Sequence, residues 1–237
     1  MAFAAVDDGS NFASQNRPQF PKKAVVMMKQ KGIIAEHVYK SFGKEDVLID
    51  VNLTVSPGKI VGLVGNNGSG KTVFMKCICG FLRADKGEIT VGGEKIGKDR
   101  DFPESIGIII ETPGFLPNVS GYRNLKILAS LKGKIGRREI LDVLETVGLS
   151  ANMHKAVKKY SLGMRQRLGL AQAIMEDPEV LILDEPFNGL DKNTGGEMRR
   201  LLQGLKDRGK AILLASHNAA DIAELCDEVL EMEVHRK

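Results

Sequence analysis

Residues 65–72 carry the most specific chemical pattern in the chain, because they match the phosphate-binding loop Gly-x-x-x-x-Gly-Lys-Ser/Thr at every fixed position. Its glycines let backbone N–H groups turn toward phosphate oxygens, which a Cβ would obstruct. A chance glycine-rich turn is the alternative, but a strand pattern at 60–64 and a helical pattern at 73–78 flank the loop. We predict a nucleoside triphosphate site, with Lys71 facing the β- and γ-phosphates and Thr72 facing Mg²⁺, at Gly65, Asn66, Asn67, Gly68, Ser69, Gly70, Lys71 and Thr72.

Two adjacent carboxylates follow a second apolar run. Residues 180–183 predict a short buried strand, and Asp184 and Glu185 come at its C-terminal end. Ligands bind at this rim in open α/β sheets. We expect Asp184 to hold Mg²⁺, directly or through water, and Glu185 to orient or deprotonate the attacking water. The alternative is a plain strand-to-loop transition at Asp-Glu-Pro, which the phosphate loop in the same chain disfavours.

A histidine and a serine extend the chemistry. His217 follows the apolar run at 211–215, so it is expected on the same rim, where it could donate to the γ-phosphate. A lone histidine at a strand end is more often only a hydrogen-bonding residue. Ser161 is a suitable N-cap, and with Gly163 it forms a second anion-binding helix terminus. One chain has little use for both devices on one nucleotide, so two chains arranged head to tail could enclose ATP.

Composition narrows the classes of function. The chain has 237 residues, enough for one large domain or a core with a subdomain, and a modest charge of +4. The basic residues are dispersed, so nucleic-acid binding is not predicted. Three cysteines without paired spacing favour a reducing compartment. No apolar run approaches the ~20 residues of a membrane span, and the N-terminus does not resemble a secretory signal. Any work at a membrane would therefore require a partner.

The order of periodic segments predicts an α/β fold. Alternating residues within 33–64 indicate strands, and Gly92-Gly93 centres a predicted hairpin at 88–96. The region from about 118 to 176 is more helical, including an apolar stripe from 140 to 147 that indicates core packing. After 178, apolar strands at 180–183, 211–215 and 229–232 alternate with helices, which favours a parallel sheet covered on both faces.

Taken together, these motifs resemble the nucleotide-binding subunit of ATP-binding cassette (ABC) transporters from about residue 32 to 235. The resemblance implies a P-loop NTPase (RecA-like) parallel-sheet core at 32–112 and 177–235. It also implies an N-terminal antiparallel β subdomain and an inserted helical subdomain at about 113–176. Residues 1–31 are expected to form a disordered or loosely attached extension.

The same resemblance assigns roles to the motifs. Residues 65–72 are similar to Walker A, 180–185 to Walker B, 160–164 to the signature and 188–191 to the D-loop, which would bring Asp191 to the nucleotide. His217 is similar to the switch histidine. Phe42 matches the aromatic residue that stacks on adenine, although an aromatic there is by itself more often a packing residue.

Two departures from the family pattern suggest a subfamily. Glu111 stands where the family usually has Gln, and the signature has Tyr160, Leu162 and Met164 in place of Leu, Gly and Gln. This combination is similar to the cassettes of bacitracin-resistance and lantibiotic self-protection exporters; neutral drift is the alternative. Near Mg²⁺ and the γ-phosphate, the Glu111 carboxylate is expected to bind metal and to influence hydrolysis.

The resemblance thus implies an ATP-hydrolysing subunit, with catalytic Glu185, His217 and Glu111 and a Mg²⁺ site at Thr72, Asp184 and Glu111. It would work with an integral membrane permease and a second cassette, identical or related, on the inner face of the cell membrane. A cassette ATPase without a transport role, for instance in DNA repair, translation or cofactor assembly, is the second hypothesis. A nucleotide sensor that does not hydrolyse ATP is disfavoured by the catalytic set.

Overall fold

The protein is described here by a computed structural model that covers residues 32–111 and 113–233, so the predicted extension at 1–31 lies outside the described residues. One sheet is antiparallel, with the order β2-β1-β4-β5, and comprises β1 (Ile33–Phe42), β2 (Glu45–Val55), β4 (Lys86–Val91) and β5 (Glu94–Lys95). The other is parallel, with the order β6-β7-β8-β3-β9, and comprises β3 (Ile60–Val64), β6 (Ile106–Ile109), β7 (Val180–Asp184), β8 (Ala211–Ala215) and β9 (Glu228–Glu231).

Helices follow several of these strands. Their bounds are α1 (Lys71–Ile78), α2 (Gly121–Lys132), α3 (Arg137–Thr146), α4 (Leu162–Ile174), α5 (Lys192–Asp207) and α6 (Ala219–Leu225). The predicted stripe on α3 is buried, since Ile140, Val143 and Leu144 lie in the core. The predicted hairpin is β4–β5, with Gly92 and Gly93 at positive φ in its turn. The α/β P-loop fold expected from the sequence is therefore confirmed.

Cover on both faces explains why the inner parallel strands β3, β7 and β8 are almost entirely apolar. In β7, Leu181 and Leu183 belong to one buried cluster, whereas Val180 and Ile182 belong to another. Successive strand side chains point to opposite faces, so a strand with no polar face needs apolar cover on both. The first cluster is completed by α2–α5, and the second by α1 and the antiparallel sheet.

A glycine lets the helical segment approach the sheet closely. A Cβ on Gly107 of β6 would lie 1.9 Å from the carbonyl oxygen of Ala173 in α4, so only glycine fits there. Helices α2–α4 lie between β6 and β7 in the chain. The subdomain boundaries near 113 and 176 stay a prediction. None of the helices in the described ranges is long and apolar enough to cross a bilayer.

Candidate active site

The order of the parallel strands gathers the predicted site residues at one edge. The C-terminal ends of β6, β7, β8 and β3 are neighbours in the sheet. These ends carry Glu111, the Asp184–Glu185 pair, His217 and the loop at 65–70 respectively. The edge therefore collects residues from segments that are far apart in the sequence.

The loop at 65–70 has the backbone of an anion cradle. Gly68 and Gly70 have φ of 83° and 90°, values that residues with a side chain rarely adopt. A Cβ on Gly65 would lie 2.3 Å from the Met232 carbonyl oxygen and 2.7 Å from Ser69 Oγ. The Ser69 hydroxyl is buried and has no hydrogen-bond partner among the described residues. A phosphate oxygen in the loop would provide the missing partner.

The side chains after the loop also fit a triphosphate. Lys71 Nζ folds back over the loop, donating to the Gly65 carbonyl at 2.6 Å and to the Asn66 carbonyl at 3.0 Å. The Thr72 hydroxyl donates to Asp184 Oδ2 at 3.0 Å. This bond joins the start of α1 to the end of β7 and places a hydroxyl and a carboxylate side by side. Both are oxygen ligands of the kind that Mg²⁺ prefers.

Asp184 lies in surroundings that favour a cation. Burial raises the pKa of Asp184, and the negative charge of Glu111 raises it further, against the Thr72 hydrogen bond and the charges of Lys71 and Lys76. Among the described residues, no group of three or more His, Cys, Asp or Glu side chains could hold a metal alone. Mg²⁺ commonly takes one or two carboxylates and completes its shell with water and substrate phosphates, so this donor set fits that ion.

Glu185 and His217 form a connected pair. Glu185 Oε1 accepts from the His217 backbone N–H at 2.9 Å, and Oε2 lies 2.8 Å from His217 Nδ1. Glu185 has φ of 50°, and its own N–H donates to the Ala215 carbonyl at the end of β8. The carboxylate is thus held at the rim by its contacts with His217.

The predicted signature begins α4. Ser161 is its N-cap and accepts from the Met164 N–H at 3.2 Å, as expected. Tyr160 is buried and donates its hydroxyl proton to the Asn152 carbonyl at 2.8 Å, which gives this departure from Leu a structural role. Within the described chain, no hydrogen bond joins residues 65–72 to Ser161 or Gly163. The loop and the α4 N-terminus are therefore not joined by hydrogen bonds, and anion binding at the α4 N-terminus stays a prediction.

Comparison with known proteins decides the family. The family pattern described as "ABC transporter" matches residues 48–188. The chain belongs to the ABC transporter family. It is 42% identical over 193 residues to the uncharacterized ABC transporter ATP-binding protein YybJ of Bacillus subtilis, covering 81% of this chain and 88% of that protein. The fold class, the nucleotide-binding function and the ATPase activity follow from this membership.

Two further ABC relatives are named for what they transport. The bacitracin transport ATP-binding protein BcrA of Enterococcus faecalis is 40% identical over 206 residues, which cover 86% of this chain and 67% of BcrA. The lantibiotic transport ATP-binding protein SrtF of Streptococcus pyogenes is 38% identical over 192 residues, which cover 81% of this chain and 82% of SrtF. The match to YdbJ of B. subtilis spans 64% of that protein.

Among solved structures, the dimeric ABC transporter cassette MJ0796 has a TM-score of 0.78 at 22% identity, covering 85% of this chain and 94% of that one.

Glu111 lies at the rim of this ABC fold but in an ion pair. Its Oε1 is 2.6 Å from Lys76 Nζ on α1, and its backbone has φ of 61°. Its negative charge helps to raise the pKa of Asp184, whereas the Thr72 hydroxyl donates to Asp184 and not to Glu111. Sequence reasoning missed Lys76, whose position one helical turn after Thr72 was the available signal.

Two further predicted nucleotide contacts, Asp191 and Phe42, also lie outside the loop. Asp191 caps α5, and its Oδ1 accepts from the Asn193 and Thr194 N–H groups at 3.1 Å. It also lines a cleft of about 370 Å³ together with Glu185 and His217. Phe42 ends β1 and is 47% exposed, with Lys40 Nζ 5.5 Å from its ring centre. Their contacts with nucleotide stay predictions.

Proposed function

We propose that this chain is the ATP-hydrolysing subunit of a membrane exporter of antimicrobial peptides or similar compounds. The observation that carries the proposal is the edge of the parallel sheet, where the phosphate loop, Asp184, Glu185 and His217 meet. The names of BcrA and SrtF support the substrate class. Glu111 and the altered signature agree with the same subfamily.

The loop binds the triphosphate. Its backbone N–H groups and the α1 N-terminus face the phosphates, and the Ser69 hydroxyl gains a hydrogen-bond partner. Lys71 exchanges the carbonyls of Gly65 and Asn66 for β- and γ-phosphate oxygens. Phe42, exposed at the end of β1, stacks on adenine.

Thr72 and Asp184 would hold Mg²⁺, with Glu111 as a further carboxylate. When bound, the ion neutralises charge on the β- and γ-phosphate oxygens.

Glu185 and His217 carry out the chemistry. The Glu185 carboxylate accepts a proton from water as the water oxygen attacks the γ-phosphorus, and the bond to the β-phosphate oxygen breaks to give ADP and phosphate. The His217 backbone N–H orients the Glu185 carboxylate. The His217 ring, at the same rim, would donate to the γ-phosphate.

A second cassette completes each site. The helix terminus at Ser161 and Gly163, which makes no hydrogen bond to the loop of its own chain, binds the ATP held by the other chain. The dimeric state of the MJ0796 cassette supports this arrangement. ATP would close the pair, and hydrolysis with product release would reopen it, because the two states differ in affinity for ATP.

The permease would dock beside the strand that leads to Glu111. A groove of about 320 Å³ there is lined by the exposed apolar side chains Phe81, Phe102 and Leu131, which are 51%, 56% and 77% exposed. A cytoplasmic apolar segment of an integral membrane permease fits this surface and would place the chain on the inner face of the cell membrane. The segment at 113–122 would transmit closure of the pair.

Replacing Glu185 by Gln tests the catalytic assignment. We expect ATP binding to survive and turnover to fall on the order of 10²–10³-fold. Unchanged hydrolysis would remove Glu185 from the catalytic role. Affinity purification from membranes then tests transport: recovery of a multi-span protein, with loss of resistance to peptide antibiotics in the variant, is expected. Active ATPase without any membrane partner would favour the non-transport hypothesis.

A further inference from the structure

Gln166 links the signature helix to the catalytic carboxylate residue. It lies on the second turn of α4, and its side chain is buried. Its Nε2 donates to the main-chain carbonyl of Glu185 at 2.9 Å. That carbonyl also accepts from the Asn188 N–H at 3.2 Å. A buried amide on one element therefore reaches the peptide that carries the general base on another.

The peptide of Glu185 depends on such contacts for its conformation. Its φ of 50° lies in the left-handed region, which is unfavourable for a residue with a side chain. Its N–H donates to the Ala215 carbonyl of β8, and its carboxylate accepts from the His217 N–H. The bond from Gln166 holds it from the helical side, so the position of α4 bears directly on the orientation of Glu185.

A second contact ties the first turn of the same helix to the segment at 188–191. A Cβ on Gly163 would lie 2.8 Å from the Gly189 carbonyl oxygen, and a Cβ on Gly189 would lie 2.5 Å from Leu162 Cδ2. Gly189 itself has φ of 74°. The start of α4 is therefore in van der Waals contact with the loop that follows Glu185, and a shift of the helix is felt at both places.

We propose that Gln166 is a positioning residue that makes the alignment of Glu185 depend on the placement of α4. The inference rests on the proposed function, in which the α4 N-terminus of one chain binds the ATP held by the other. Binding there would fix α4 and, through Gln166, orient the base that acts on this chain's own ATP. The two ATP sites of the pair would be coupled inside each chain.

The test compares Gln166→Met with Gln203→Met, which makes the same change at a half-buried position on α5. Loss of one neutral hydrogen bond predicts a kcat about 3- to 10-fold lower for Gln166→Met. KM for ATP should stay within about 2-fold, and the Hill coefficient for ATP should fall toward one. Gln203→Met should behave as wild type. Unchanged kcat and Hill coefficient in a folded Gln166→Met protein would overturn the proposal.

Gln166→Glu keeps the size of the side chain and provides a second readout. Only a protonated carboxyl can donate to the Glu185 carbonyl, so its activity relative to Gln166→Met should rise as pH falls. A purely structural role would lower thermal stability without this pH dependence, which would contradict the inference. A wild-type chain that neither hydrolyses ATP nor forms a dimer when ATP is added would instead refute the proposed function.

Discussion

Glu111→Gln separates the stabilising role of this carboxylate from its role at the nucleotide. Its partner in the structure is Lys76, at 2.6 Å, and the two side chains are 63% and 31% exposed. Ion pairs this exposed contribute about 0.2–1 kcal/mol to folding. For a chain of this length that corresponds to a Tm decrease of at most about 2–4 °C. The variant should therefore fold and bind nucleotide nearly as well as wild type.

The functional effect is expected to exceed the structural one. Glu111 contributes to the field at Asp184, so the same negative charge acts on a cation held there. A charge contact in high dielectric is worth about 1 kcal/mol per unit charge, which predicts an apparent Mg²⁺ affinity about 5- to 30-fold weaker for a divalent ion. Removing Glu111 also removes one of the causes that raise the pKa of Asp184.

The assay is ATP hydrolysis titrated with Mg²⁺ at fixed ATP, beside nucleotide binding and antibiotic resistance in cells. Lys76→Met is the matched control, because it breaks the same ion pair but keeps the Glu111 carboxylate. Its Mg²⁺ affinity should equal or exceed that of wild type. If Glu111→Gln matched wild type in Mg²⁺ dependence, turnover and resistance, Glu111 would be a tolerated variant and the reasoning would be wrong.

Two further predictions concern buried or half-buried ionisable groups. Burial raises the folded-state pKa of Asp184 above 3.8, so the stability it contributes is present at low pH and is lost as pH rises through that pKa. Asp184→Asn should therefore raise the Tm of the nucleotide-free chain at pH 7 while weakening Mg²⁺-dependent ATP binding; a lower Tm would contradict this. Burial also raises the pKa of the thiols of Cys77, Cys79 and Cys226, to about 11, 12 and 11 respectively. Alkylation of these thiols at pH 7.5 should therefore be slow until denaturant is added. Rapid labelling of the native protein would refute this prediction.

Local patterns were sufficient to predict the elements that carry the chemistry. The loop at 65–72 fixes its own backbone through glycine, and an apolar strand such as β7 has to lie inside a covered parallel sheet. The N-cap role of Ser161 follows from residue type alone. These features depend on neighbours in the sequence or on the strand period, so they could be inferred without coordinates.

Contacts between distant segments could not be inferred in the same way. The bond from Gln166 to Glu185 depends on the rotation of α4 over the sheet, and a Gln among basic residues gives no sign of burial. Positive φ at Glu111 and Glu185 is equally hidden, because residue type argues against it. The pairing order of the antiparallel sheet depends on tertiary packing, which propensity does not determine.

In the proposed pair, each ATP lies between the phosphate loop of one chain and the α4 N-terminus of the other. The direct test mixes Lys71→Ala with Ser161→Arg, both in the Glu185→Gln background, and measures ATP retained after gel filtration. Each variant alone should retain none, whereas the mixture should form pairs with one intact site and retain about one ATP per pair. Retention of ATP by Ser161→Arg alone at the level of its Glu185→Gln parent, with no gain on mixing, would show that one chain holds ATP without the α4 N-terminus of another.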